Sequence, residues 1–305
     1  ATEGTWSVDT GTATPASGSL SINANGTNSV SVTATDAATN TSNAVTQTLT
    51  IDTIVPTVTI NSTTSGVTDG STTNDSTISM VFITSDDTTD FVVGDITVTN
   101  GSLSSFTAVS TTVHTAVFTP QTDGATTIKV LANKFTDDGG NDNTASDVFN
   151  WTYDSTGPTA AITYTGSSPY KNGQTVTITA TFGEAVATTP KIAISGSGIA
   201  SVSATNMSST SATVWTYSYA VPTGDGTGTI TLSAGADAQG NTINSTPSSG
   251  ATFTVDNTAP AVAITSAATS NDSTPTVSGT AEANASISAV IAGATYTTTA
   301  TGGTW

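Results

Sequence analysis

Short segments in which apolar and hydroxyl residues alternate follow one another along the whole chain. In Thr175 to Phe182 (TVTITATF), Val176, Ile178, Ala180 and Phe182 share one face and four threonines take the other, the period of two of a half-buried strand. Threonine is β-branched and suits a pleated surface. Ser29 to Ala34, Thr127 to Leu131 and Thr229 to Ser233 read the same way. No segment joins a helical period to capping residues, so the chain is all-β. With 35% hydrophobic residues placed in this regular manner, it is not the disordered tail that abundant Ser, Thr and Gly would otherwise suggest.

The alternating segments recur at long range. Asp52 to Ile60, Asp154 to Ile162 and Asp256 to Ile264 align without gaps, and their prolines Pro56, Pro158 and Pro260 are spaced 102 and 102 residues apart. Each is preceded by a strand whose inward residues are read as Leu49 and Ile51, Trp151 and Tyr153, and Phe253 and Val255. Upstream of those strands lies a loop with Asp and Asn four apart: Asp36 and Asn40, Asp137 and Asn141, Asp237 and Asn241. Earlier still, Asp123-Gly124 and Asp225-Gly226 are turn signals between strands. The first six residues match the last six at five positions. The expectation is therefore a window of a longer array, with residues 1–52 as the C-terminal part of one domain, complete domains at 57–154 and 159–256, and 261–305 as the N-terminal part of another. Repeats of this length with about seven short strands point to immunoglobulin-like β-sandwiches in tandem, forming an elongated array.

Composition narrows the partners. Four lysines stand against 22 acids, arginine is absent, and the net charge is -18. Nucleic acid and anionic membranes both require a cationic patch, so neither is expected as a partner. No apolar run approaches the ~20 residues of a spanning helix. There is no cysteine and a single histidine, His114, which removes disulfides and thiolate chemistry. His114 alternates with Ala116 and Phe118 and is read as a ring at the edge of the core.

The D-[TSN]-x-x-P linker, the F-x-E segment at Phe182 to Glu184, the G-T-A-E segment at Gly279 to Glu282 and the D-x-x-G-N loop at Asp237 to Asn241 resemble bacterial Ig-like repeats. That resemblance covers essentially the whole chain. It implies a role in the stalk of a giant secreted surface adhesin, with neighbouring repeats of the same chain as the first partners. It says less about any binding target, because function resides in sites and not in folds.

In a sandwich with strands A to G, the entry linker, the B–C loop and the F–G loop lie at one end, and the E–F loop at the other. This places Asp52, Asp86, Asp137 and Asn141 at one junction. Asp154, Glu184, Asp237 and Asn241, with Asp123 from the preceding repeat, fall at the next, and Asp256, Glu282 and Asp225 at the last. Asp36 and Asn40 are the matching loop pair of the first, partial repeat. Such oxygen clusters suit a hard cation, and Ca2+, which takes 6 to 8 oxygen ligands, is the expected one. The alternative is that these Asp and Asn residues merely close turns.

Trp151 and Trp215 sit in strand patterns as packed aromatics, while Tyr217 and Tyr219 could form a sugar-stacking platform. The acid pairs Asp86-Asp87 and Asp137-Asp138 could in principle serve glycoside hydrolysis, but no catalytic insertion accompanies them and no enzyme is expected. A structural stalk stiffened by calcium is the leading expectation. A glycan- or ice-binding module and a fibre self-associating head to tail are the other two.

Overall fold

The computed structural model describes residues 2–7, 17–22 and 25–305. The chain divides into two compact units, Ala1–Thr156 and Gly157–Trp305. In the first, Val58–Ser62, Ile78–Thr84, Val113–Pro120 and Gly101–Ala108 form one four-stranded sheet in that order, and Ser71–Thr73, Phe149–Tyr153, Gly124–Val130 and Ile96–Thr99 form the other. In immunoglobulin letters these are A-B-E-D and A′-G-F-C. All neighbours are antiparallel except Ser71–Thr73, which runs parallel to Phe149–Tyr153. Alternation supplies the inward face of each strand. Ile78, Met80, Phe82 and Phe118 of one sheet pack with Ile128, Val130 and Trp151 of the other in a single buried cluster, while the intervening residues stay half-buried or exposed.

The second unit keeps the A-B-E-D order of one sheet but changes the other, where the strand parallel to G shrinks to a Tyr170–Val255 bridge and Val202–Asn206 is added beside C. Ala160–Tyr164, Thr175–Phe182, Val214–Ala220 and Ser208–Ser209 form one sheet, and Val202–Asn206, Lys191–Ser197, Gly226–Ser233 and Thr252–Val255 the other. Val176, Ile178, Ala180 and Phe182 are buried as their spacing predicts. Phe253 and Val255 are buried, Trp151 likewise, and Tyr153 and Ile51 are half-buried. The side chains of Leu49 and Trp6 lie outside the described residues. A shorter hairpin, Gly26–Val32 with Val45–Ile51, precedes the first sandwich. Two further ribbons follow the second: Val262–Ile264 with Gly279–Ala281, and Ser286–Ile291 with Ala294–Thr299.

Two aromatic expectations change. Trp215, Tyr217 and Tyr219 are spaced by two and so share a face, and Trp215 and Tyr219 are buried. Tyr219 packs edge-on against Phe253 at 5.3 Å, which leaves no two-ring platform for a sugar. His114 lies inside the core instead of at its edge, 2% exposed, stacked on Phe106 and edge-on to Phe91. Its Nδ1 is buried with no hydrogen-bond partner.

Burial holds the His114 pKa below its ordinary 6.5, since a charged imidazole loses hydration there. The unfolded chain then binds the extra proton first as pH falls below about 6.5, so stability is present above that pH and declines towards pH ~5. His114→Leu should remove this decline, as measured by thermal melting at both pH values. As the sole histidine, its ring resonance can be titrated alone by NMR, and a value at or above 6.5 would contradict the account. Gly228 lies across from Phe253 in register, and a Cβ there would stand 2.5 Å from the ring's Cζ. Gly228→Ala is expected to cost about 1–3 kcal/mol by overpacking, seen as a lower urea midpoint at constant m-value.

Candidate metal centre

The five-residue Asp-x-x-x-Asn loops build themselves. Asn40, Asn141 and Asn241 each donate their backbone N–H to Oδ1 of the aspartate four residues back, at 2.8, 2.9 and 2.8 Å. Each asparagine Nδ2 also donates to that aspartate's Oδ2, at 2.9, 3.1 and 2.9 Å. Short bridges flank the loops: Thr35 with Thr41, Thr136 with Asp142 and Ala236 with Thr242. The residue before each asparagine has positive φ, 81° at Gly140 and 91° at Gly240, which glycine adopts without strain. Thr39 takes this conformation in the first loop at φ 70°.

Asp137 and Asp237 are 5% and 4% exposed. Burial pushes the Asp137 pKa up, but donation from Asn141, Gly139 and Gly140 more than offsets it and leaves the group below the usual carboxylate range. A carboxylate offers about four lone-pair positions. The described bonds to Asp237 come from the N–H groups of Gln239 and Asn241 and from Asn241 Nδ2. Glu184, half-buried two residues past the strand end, presents a carboxylate oxygen within 4.8 Å of one from Asp237. The donor set of carboxylates and side-chain amides matches a hard cation.

In the first unit the linker aspartate meets its loop directly. Asn141 Nδ2 donates to the Asp52 carbonyl at 3.2 Å, and a Cβ on Gly139 would come within 2.7 Å of Asp52 Cβ. Only glycine allows that approach. Asp86 is half-buried and accepts from Ser85, while its neighbour Asp87 takes the Asp138 N–H on its carbonyl at 3.2 Å. The three linker acids share one local habit. Oδ1 of Asp52, Asp154 and Asp256 accepts the N–H two residues on, at 3.0, 3.3 and 3.0 Å. Glu282 and Asp256 are exposed, as are Asp36 and Asn40.

Asp123 and Asp225 have a different task. Asp123 Oδ1 accepts from Ser155 N–H at 3.0 Å and Ser155 Oγ at 2.7 Å, and Oδ2 accepts from Thr156. Asp225 accepts in the same way from Asn257 N–H and Thr258 Oγ1. These bonds, led by the threonine hydroxyls, hold both pKa values below the usual range. Asn25 supplies the third copy, accepting from Thr53 N–H at 2.7 Å and Thr53 Oγ1 at 3.1 Å. Sequence reasoning missed Asn25 by searching for Asp-Gly, although Asn25-Gly26 is the same turn signal. It also missed Asp90, whose carboxylate accepts the Thr136 N–H at 3.0 Å and its hydroxyl at 2.9 Å and so braces the 137–141 loop from 46 residues away.

Residues 52–153 match the family model for the bacterial Ig-like domain. No curated protein matches the chain. Among solved structures the chain is similar to FdeC, an Escherichia coli adhesin eliciting protection against urinary tract infections, at 12% identity over 74% of this chain and 72% of that one, TM-score 0.36. It is similar to a tetra-tandem repeat from the extending region of a large adhesion protein at 19% identity over 82% and 65%, TM-score 0.29. Yersinia pseudotuberculosis InvD follows at 15% identity over 73% and 68%, TM-score 0.29.

Because Asn25 stands where the later repeats carry Asp123 and Asp225, a neutral oxygen acceptor suffices for the clamp. Asp225→Asn should leave amide exchange at Asn257 close to wild type, and Asp225→Ala should accelerate it by about tenfold or more, as loss of one hydrogen bond worth ~1.5 kcal/mol implies. Equal exchange in both variants would contradict this. Residues 52–153 thus match the bacterial Ig-like domain, and a second sandwich that shares its A-B-E-D sheet follows in the same chain.

Proposed function

We propose that this chain is a stalk segment of a repetitive, secreted cell-surface adhesin, in which calcium at the inter-repeat linkers stiffens the array. The observation that carries this reading is the contact of Asp52 with the 137–141 loop, through Asn141 Nδ2 and the close approach at Gly139. With the Asp52 main chain held against the loop, a carboxylate of Asp52 turned toward Asp137 would supply a second hard oxygen donor at the entry to the repeat. Asp52, Asp86, Asp137 and Asn141 are the proposed ligands there. Glu184, Asp237 and Asn241 are their equivalents in the following repeat, and by sequence equivalence to Asp52 the linker acid that falls to them is Asp154. Asp256 and Glu282 continue the series. Asp123 and Asp225, already bound to linker donors, act chiefly as clamps.

A stalk of such units performs no chemistry. It transmits force and holds distance, and each repeat needs only a stable core and a stiff joint. The excess of acids suits calcium capture outside the cell, where modules of this kind bind at ~0.1–1 mM.

Calorimetric titration and thermal melting test the calcium step. At 10 mM Ca2+ a site of that affinity adds about 1.5–3 kcal/mol, and the melting temperature should rise by several degrees over chelator. Glu184→Gln and Asp52→Asn should each remove part of the rise. The scattering profile should lengthen and narrow with calcium. Absence of heat, with melting and scattering unchanged between calcium and chelator, would sink the proposal.

A further inference from the structure

The sandwich in the first unit leaves one long strand edge open. Gly101–Ala108 pairs with Val113–Pro120 on one side and is terminal in its sheet. With eight residues it is the longest edge strand of the two sandwiches. No described backbone hydrogen bond reaches its outer side. Its counterpart in the second unit, Ser208–Ser209, is cut to two residues. A row of unpaired N–H and C=O groups is a template for another strand, and proteins usually blunt it with lysine, proline or a very short strand. Gly101–Ala108 contains none of these devices. One guard is present: a bulge opposite Thr115 and Val117, with Ser105 at φ 52°, which bends the strand and leaves Gly101 to Ser104 as the straight half.

Charge selects the occupant. The chain carries -18, so two copies repel wherever their acids meet. Yet no Asp, Glu, Lys or Arg lies between Asp95 and Asp123, a stretch that includes this strand and both flanking turns. Leu103 and Phe106 pack on the core from this strand, and Val109 just beyond it is 63% exposed. We infer that this edge joins a second copy of the chain, strand Gly101–Ala108 pairing antiparallel with its twin about Leu103, so that Ser102 of each copy lies opposite Ser104 of the other. The pairing is two-fold symmetric, so each copy offers the same patch. A single contact of this size is weak. Repeated along neighbouring chains, it would bind laterally by avidity.

Sedimentation equilibrium of the whole chain tests this, in chelator and across concentration at about 0.15 and 0.5 M NaCl. The average mass should climb from 30.1 kDa towards twice that value, and more readily at high salt, where repulsion between the acidic bodies is screened. The double variant Ser102→Lys, Ser104→Lys sets like charges across the strand pair and should lower association by about tenfold or more. Thr229→Lys, Thr231→Lys, placed on an interior strand of the other unit, adds the same charge and should associate as wild type. Hydrogen exchange should show the 101–104 amides slowing as the dimer forms. A chain that stays monomeric to about 1 mM at both salts, or association that the two lysine pairs weaken equally, overturns the inference.

Discussion

A carboxylate placed where backbone N–H groups converge is the interaction on which the joints of this molecule depend. The aspartate of each five-residue loop gathers the N–H and side-chain amide of the asparagine four residues on. The loop is then rigid before anything else touches it. Only a loop of fixed shape can present Asn141 to the Asp52 carbonyl and bring Gly139 against Asp52. The clamp at Asp123, Asp225 and Asn25 uses the same chemistry from the opposite end of a repeat, collecting N–H and O–H donors from the outgoing linker.

This choice follows from the composition. With four lysines and no arginine against 22 acids, most of the acids have no cation to pair with, and those at the joints are satisfied by neutral donors. Hydrogen bonds to the ionised form lower the pKa of Asp36, Asp123, Asp137 and Asp225 and keep them charged. Each such group adds stability that is present above the ordinary carboxylate range and is lost as pH falls through its lowered value. Charge held in this way at a joint is an electrostatic cost, which the proposed calcium would offset.

Much of the site was legible, though its roles were mixed. The Asp-Asn pairs stand out by recurrence, and the structure adds that they close their own turns. Asp123 and Asp225 stood out by the same recurrence, yet their oxygens go to the linker residues that follow 32 or 33 positions later. Asn25-Gly26 lies outside the Asp-Gly pattern although it is the same turn signal, and nothing in the neighbourhood of Asp90 announces a partner 46 residues away. For His114 the alternation with Ala116 and Phe118 gives the face of the strand and not the depth, so a ring expected at the edge of the core lies inside it, against Phe91 and Phe106.

Strand period, repeat length, turn positions and the acidic, lysine-poor character are determined by the sequence alone, because each arises from residues adjacent in the chain or from their sum. Which strand lies at an edge, how deep Asp137, Asp237 and His114 are buried, and which donors each carboxylate meets are decided only by the tertiary structure. These are properties of segments brought together across tens of residues, and a hydrogen bond of about 3 Å depends on that closure and not on the pattern that precedes it.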